Sequence, residues 1–460
     1  MTKPTIVCTG MCDTKGPEIR FLAEMVAASG GAPVIMDLSL GAAVDWADVS
    51  LAEVLETTHT RIDEIFAAPR AAAIEMVSRA GAMKILELRA RHLCDGVLSW
   101  AGSVGTTTVT RAMRALPFGV PKIMLTDMTS GDVSAWLGNK DIYLVNPTLE
   151  QGINVVTRRV VANAAAAIVA MAGVAEPAET SKPLCAITSY GTTTPAVQRC
   201  RASMEERGWD VAIFHAVGVG SSMEDLIRSG LITAVIDLTP AELINTLCGS
   251  SYGIPKSWEG ERLTAAAAVG IPQIVVPGGL DQCAFGALSS VPQPYLDELR
   301  TGRRHSHRGS GLPYQHNQGV TIVAASMEEV EAVSRLMAER LAGATGPAQI
   351  VIPMRGWSAY DQSEQVATRA RGWAEGNGDG PTWVPDPGHP EWSARALVML
   401  EILGDRLPGA GSSPDLLAVD MHILDPAFAD LLNTCMARML DRTWIPGAFQ
   451  DLDVRGSAAG

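Results

Sequence analysis

The sequence is short of positive charge, of closely spaced cysteines and of long apolar runs. Lysine and arginine number 36 against 50 acidic residues, a net charge of −14. Nucleic acid and anionic membrane both reward a positive surface, so a non-specific grip on either is excluded, while a local basic pocket is not. None of the eight cysteines forms a Cys-x-x-Cys pair; the spacing reads as reduced thiols, not as zinc ligands or a redox couple. No apolar signal region follows Met1–Pro4, and the charge-free helical run from Val160 to Val174 is shorter than the about 18 residues a membrane span needs. The expectation is a cytoplasmic chain. Also missing are a Gly-x-Ser-x-Gly elbow, a His-Glu-x-x-His helix and a Gly-Lys-Ser/Thr loop, which removes the common hydrolase, metalloprotease and P-loop assignments.

What is present is an alternation. With 460 residues, 47% of them apolar, the chain can build two or three cores. Short apolar runs at Thr5–Thr9, Pro33–Asp37, Gly96–Ser99 and Lys122–Thr126 are separated by stretches of helical period, the mark of a mainly parallel sheet. A stretch rich in Pro, Glu, Ser and Thr follows at residues 174–183 and reads as a linker. The pattern then restarts with Leu184–Thr188, Asp210–His215, Thr233–Leu238 and Gln273–Val276. This predicts an α/β chain of two Rossmann-like domains, residues 1–175 and 183–445, with a ligand cleft between them. The halves also echo one another: Gly10-Met-Cys-Asp-Thr is answered by Gly191-Thr-Thr-Thr, and Gly119-Val-Pro-Lys by Gly270-Ile-Pro-Gln. Residues 371–393, rich in Gly, Pro and Trp, read as a surface loop, and helices are expected near residues 394–404 and 425–441.

The residues that could carry chemistry cluster at predicted strand ends. Gly10-Met-Cys-Asp13-Thr14-Lys15-Gly16 puts lysine before the second glycine, so it is not a Walker cradle; Lys15 reads as a point charge at a helix start. Gly102-Ser103-Val104-Gly105-Thr106-Thr107 follows a strand and opens a helix. It is either an anion cradle of free N–H groups and hydroxyls or a tight turn capped by threonine. Gly191-Thr192-Thr193 has the same two readings. His215 ends a strand ahead of Gly218 and Gly220, a Gly-x-Gly without the third glycine of the dinucleotide fingerprint. His215, Glu242 and Asp281 are the candidate acid–base groups; helix capping and a hydrogen-bonded structural histidine are the plainer readings, as for Asp237. The Arg303–His307 run reads as a basic loop or one that closes over an anion, and no metal site is assigned.

Taken together, Thr9-Gly-Met-Cys-Asp-Thr-Lys-Gly-Pro-Glu18, Ala101-Gly-Ser-Val-Gly-Thr106, Tyr190-Gly-Thr-Thr-Thr-Pro195, Phe214-His-Ala-Val-Gly-Val-Gly220, Pro277-Gly-Gly-Leu-Asp281 and His316-Asn317 resemble the Tm-1-like ATP-binding family, also called UPF0261. The resemblance runs in order from about Thr5 to Asp441, and Met421–Pro426 gives His422 some weight. It implies two Rossmann-like domains, ATP held by the glycine-rich turns with or without Mg²⁺, a small anionic metabolite as a further partner, and a homodimer. Ala101 and Val104 stand where the family usually has glycine, and a Val104 side chain would lie closer to a phosphate. Three functions follow: an ATP-binding protein, including an ATP-dependent enzyme; an enzyme acting without nucleotide on a small carboxylate or phosphorylated substrate; or a non-catalytic regulatory module.

Overall fold

The computed structural model describes residues 3–174, 182–254, 262–364, 379–409 and 412–454. The expected linker at 174–183 falls largely outside the described residues, as do residues 371–378 of the expected loop; the rest of that loop, 379–393, is irregular and buries Thr382, Trp383 and Ser393 instead of running wholly over the surface. The chain divides into two compact units, Met1–Glu179 and Thr180–Gly460.

In the first unit, strands β1 (Thr5–Gly10), β2 (Ala32–Asp37), β3 (Gly96–Trp100), β4 (Lys122–Leu125) and β5 (Tyr143–Val145) form one sheet in the order β2-β1-β3-β4-β5. Every pairing is parallel. Parallel strands are joined by right-handed crossovers, so the helices that follow β1 and β3 leave the sheet on opposite faces. The helix Cys12–Ala28 buries Ile19, Leu22 and Val26, three, four and seven residues apart, against one face. Its neighbour Val155–Ala172 adds Val161, Ala164, Ala165 and Ile168 to the same core. The helices Arg70–Ala90 and Ser103–Ala115 cover the other face, with Val77, Ala80, Val109 and Met113 buried. Cutting one of these fully buried side chains back, Leu22→Ala for example, costs about 2–5 kcal/mol.

The helix Val155–Ala172 takes in the charge-free run up to Ala172 and the turn ahead of it, starting where Asn154 caps it by accepting the N–H groups of Val156 and Thr157. It is thereby long and apolar enough, by length and composition, to cross a membrane, and here it packs on the sheet.

The second unit repeats the scheme. Strands β6 (Leu184–Ser189), β7 (Asp210–His215), β8 (Ile232–Asp237) and β9 (Gln273–Val275) join β13 (Ala348–Pro353) and β14 (Asp415–Val419) in the order β14-β13-β9-β8-β6-β7, again all parallel. The first strand of each unit lies between its second and third, so both sheets reverse direction of winding beside their first strand. Strands β10 (Gln282–Phe285), β11 (Tyr314–Asn317) and β12 (Val320–Ala324) form a separate antiparallel sheet. Helices at Ala394–Arg406 and Pro426–Leu440 fall where the sequence puts them; β13 and β14, their flanking strands, were not foreseen.

One expectation is corrected. Cys248 and Cys283, read as separate reduced thiols, are joined in a disulfide with Cα atoms 6.5 Å apart. Their separation of 35 residues hides the pairing, which the end of one helix meeting β10 creates. The other six cysteines are free and buried. Burial pushes the thiols of Cys94, Cys200 and Cys435 up to about 12, which disfavours the reactive thiolate.

Candidate functional site

In open parallel sheets a ligand crevice forms beyond the carboxyl ends of the strands, where the winding reverses. The first unit has such a crevice, a cavity of about 540 Å³ between the turns that follow β1 and β3. From the β1 side it is lined by Met11, Asp13, Thr14 and Lys15, and from the β3 side by the run Ala101–Gly105. The segments after β2 and β5 close it with Gly41, Glu150 and Gln151.

Each group is held by its neighbours. Asp13 Oδ2 accepts the N–H groups of Gly41 (2.9 Å) and Ala42 (3.3 Å), while its Oδ1 is buried with no partner among the described residues. The helix carrying these residues departs from helical geometry at Lys15 (φ −122°, ψ 25°), two residues ahead of Pro17. Lys15 is only 7% exposed; its Nζ donates to the Glu150 carbonyl oxygen at 2.5 Å and lies 6.0 Å from the centre of the Trp100 ring. No carboxylate among the described residues pairs with it. Across the cavity, Gly102 caps the helix Ser103–Ala115 without offering a side chain. The first N–H groups of a helix have no intrahelical partner and sit at the positive end of its dipole. Gly105 has no room to change: a Cβ there would meet that of Ala101 at 2.4 Å.

Of the residues singled out in this half, Asp13, Thr14, Lys15, Gly102, Ser103 and Gly105 line the cavity, and Gly10, Gly16, Thr106 and Thr107 do not. Gly10 lies under Ile19, and Gly16 against Trp46. Thr106 is fully buried; its hydroxyl donates to the carbonyl of Gly102 and lies 2.9 Å from Thr126 Oγ1. Thr107 bonds to Ser103 O and accepts the indole N–H of Trp136. Phe66 and Arg70 also line the cavity; they come from a helical stretch with no motif, and nothing in the sequence marks them.

The second unit uses its predicted site residues differently. The N–H groups of Gly218 and Gly220 donate to Glu242 Oε1 at 2.8 and 2.7 Å. Glu242 Oε2 accepts from Arg262 Nε at 2.6 Å, and the same guanidinium bonds Glu224 (3.0 Å) and Asp237 (2.9 Å). All four groups are essentially without exposure. Burial lowers the Arg262 pKa, but the three carboxylates more than offset it, so the group stays charged. Glu242 and the Gly-x-Gly turn therefore form an internal ion network, in which the glycines admit the arginine: a Cβ on Gly220 would meet its Nε at 2.1 Å.

Asp281 is also fully buried, accepting from Ser358 and Thr382 at 2.8 Å. Burial raises its pKa, and burial with the neighbouring Asp281 charge pushes Asp361 up to about 7. His422 stands behind this pair, its Nε2 3.1 Å from Asp361 O while Nδ1 accepts the Leu424 N–H at 3.1 Å. That pattern requires the neutral ring protonated on Nε2, and burial lowers the pKa to about 4. In the basic run, Arg304 is buried and bonded to Glu298 and Glu329, which fixes the segment in place. Thr193 bonds Thr239 at 2.8 Å inside the unit. Gly191, Thr192 and His215, by contrast, line a smaller cavity of about 180 Å³ together with His316 and Asn317.

Two parallel α/β units, the first with an open crevice between the turns after its first and third strands and the second with those two turns bonded to each other, define the class of protein. The first unit matches the family model described as the N-terminal domain of uncharacterised protein family UPF0261 over residues 4–177, and the second its C-terminal domain over residues 182–372. The chain belongs to this family. It is 32% identical to a UPF0261 protein of Clostridium tetani over 366 residues, 78% of this chain and 86% of the relative. A UPF0261 protein of Rhizobium meliloti is 35% identical over 365 residues, 77% of this chain and 85% of the relative. The ToMV resistance protein Tm-1(GCR237) of Solanum lycopersicum is 29% identical over 386 residues, 78% of this chain and 48% of that protein, so this chain spans about half of the tomato protein's length.

Proposed function

We propose that the first unit binds ATP in the crevice between the turns after β1 and β3. The observation that carries the reading is the convergence on one cavity of a buried lysine with no carboxylate partner among the described residues and a helix start whose leading N–H groups have no intrahelical partner. Phosphate oxygens fit the Ser103–Gly105 backbone, with the Lys15 ammonium opposite. Asp13 Oδ1, buried and unpartnered, is the oxygen available to an accompanying Mg²⁺. Phosphoryl transfer to a small anionic metabolite would use the same charges. A cytoplasmic homodimer belongs to this reading.

The test is thermal unfolding of the full chain with ATP, ADP and Mg·ATP. A ligand at about 100 times its dissociation constant adds about 2.7 kcal/mol, so a clear rise in Tm at millimolar nucleotide is expected, and no rise with any of the three removes the proposal. One observation favours a second reading, a smaller carboxylate or phosphorylated ligand without nucleotide. The Glu150 carboxylate leans over the helix start, so close that a Cβ on Gly102 would meet its Oε1 at 3.3 Å, and Val104 narrows the same turn. A Tm rise with inorganic phosphate or a small carboxylate, and none with ATP, is its signature.

A further inference from the structure

The second unit's own cavity differs in chemistry from the crevice of the first. One wall is the antiparallel sheet. Successive strand residues face opposite ways, so Cys283, Phe285 and Val323 enter the core while Gln282, Ala284, Val320 and Ile322 face the cavity. The rings of Tyr190, Tyr252 and Tyr360 line the remainder, with His215 and His316 beside them. Tyr190 OH accepts from Asn245 Nδ2 at 2.9 Å, and Tyr360 OH lies 2.7 Å from His316 Nδ1. Among the described residues, no lysine, arginine or carboxylate lines the space.

Two polar groups on these walls have no partner among the described residues. Thr192 Oγ1 and Gln282 Oε1 are buried without a partner, in residues only 7% and 2% exposed. Buried polar atoms are almost always paired, and leaving one unpaired is costly, so each such atom calls for an explanation. Two of them on one small aromatic cavity have a common one.

We propose that this cavity is a second ligand site, independent of the nucleotide reading, for a small uncharged planar molecule of about one ring carrying a carbonyl, amide or hydroxyl group. The tyrosine rings take the faces and edges of the ring. The Thr192 hydroxyl and the Gln282 amide take its polar group, the amide offering both a donor and an acceptor. The lack of a lysine or arginine in the described lining sets it against phosphates and carboxylates, because a charge moved there would lose its water without gaining a permanent counter-ion.

The experiment is ligand-observed NMR and titration of the full chain with nicotinamide and phenol, and with benzoate as the charged counterpart. Nicotinamide or phenol should bind, benzoate at least about tenfold more weakly. Thr192→Val and Gln282→Leu should each weaken binding about tenfold, and Lys15→Met should leave it unchanged. Neither substitution should lower Tm, since each replaces an unpartnered polar atom with an apolar group of similar shape. Absence of binding by both neutral probes, binding that survives both substitutions, benzoate binding as well as the neutral probes, or a marked Tm loss in Thr192→Val would each overturn the proposal; the last would mean that the hydroxyl has a structural partner.

Discussion

The crevice beside β1 and the corresponding place beside β6 are built on the same strand order and end differently. In the first unit the turns after the first and third strands stand apart, leaving a cavity of about 540 Å³ lined by an ammonium and a helix start. In the second, Thr193 after β6 bonds Thr239 after β8, and Glu242 from the same segment takes the N–H groups of the Gly218–Gly220 turn. A protein carboxylate thus fills a backbone nest that an external anion could have used, and an arginine balances it from behind. The lesson is that a glycine-rich turn at a strand end can be taken up from within: in the second unit a carboxylate of the chain itself accepts the turn's N–H groups, and among the described residues no carboxylate does so at the Gly102–Gly105 turn of the first.

The largest way to break this contrast is to remove the balancing charge. Arg262→Met leaves Glu224, Asp237 and Glu242 buried without their cation, and breaking a buried pair in this manner costs about 3–5 kcal/mol. Urea unfolding should show a loss of that size; a change below about 1 kcal/mol would mean that the network is not holding the second unit together.

A somewhat smaller effect is expected from pH. The folded pKa of His422 is lowered to about 4, so the unfolded chain binds its proton first. Its contribution is fully present above about 6.5 and is lost as pH falls toward 4, on the order of 3 kcal/mol in all. Asp361, raised to about 7, acts in the opposite sense: its contribution is present below its unfolded pKa and is lost as pH rises through 7. His422→Gln should therefore remove the acid-side loss and leave a stability that declines from pH 4 to 7. Parallel curves for wild type and variant across that window would disprove the assignment.

The smallest expected change sharpens the open side of the comparison. Lys15→Met should weaken ATP about tenfold, some 1.4 kcal/mol, while stability falls only by about the 1 kcal/mol of its hydrogen bond to the Glu150 carbonyl. Isothermal titration together with urea unfolding separates the two; an unchanged affinity would remove Lys15 from the site.

Much of the fold was legible because parallel strands buried on both faces announce themselves as short apolar runs, as at Thr5–Gly10 and Leu184–Ser189. The strands at Ala348 and Asp415 escaped, the second lying after a stretch with no regular period. Within the site, Asp13, Lys15 and Gly102 stood out because glycine and a charged residue at a strand end are rare enough to notice. Glu242 stood out for the same reason, and sequence could not show that Arg262, 20 residues further on, would claim it. Gln282, Tyr252 and Tyr360 carry no local pattern; they meet only because the antiparallel sheet brings its second face toward the turn after β6.

The hydrogen bond from Lys15 to the carbonyl of residue 150 spans 135 positions of chain. Its two ends differ in what heredity can do to them. The acceptor is main chain, so most substitutions at residue 150 leave the clasp intact, whereas nearly any change at residue 15 abolishes it. A survey of random variants should therefore find this clasp kept through most changes at position 150 and lost on nearly any change at position 15, although the two residues touch.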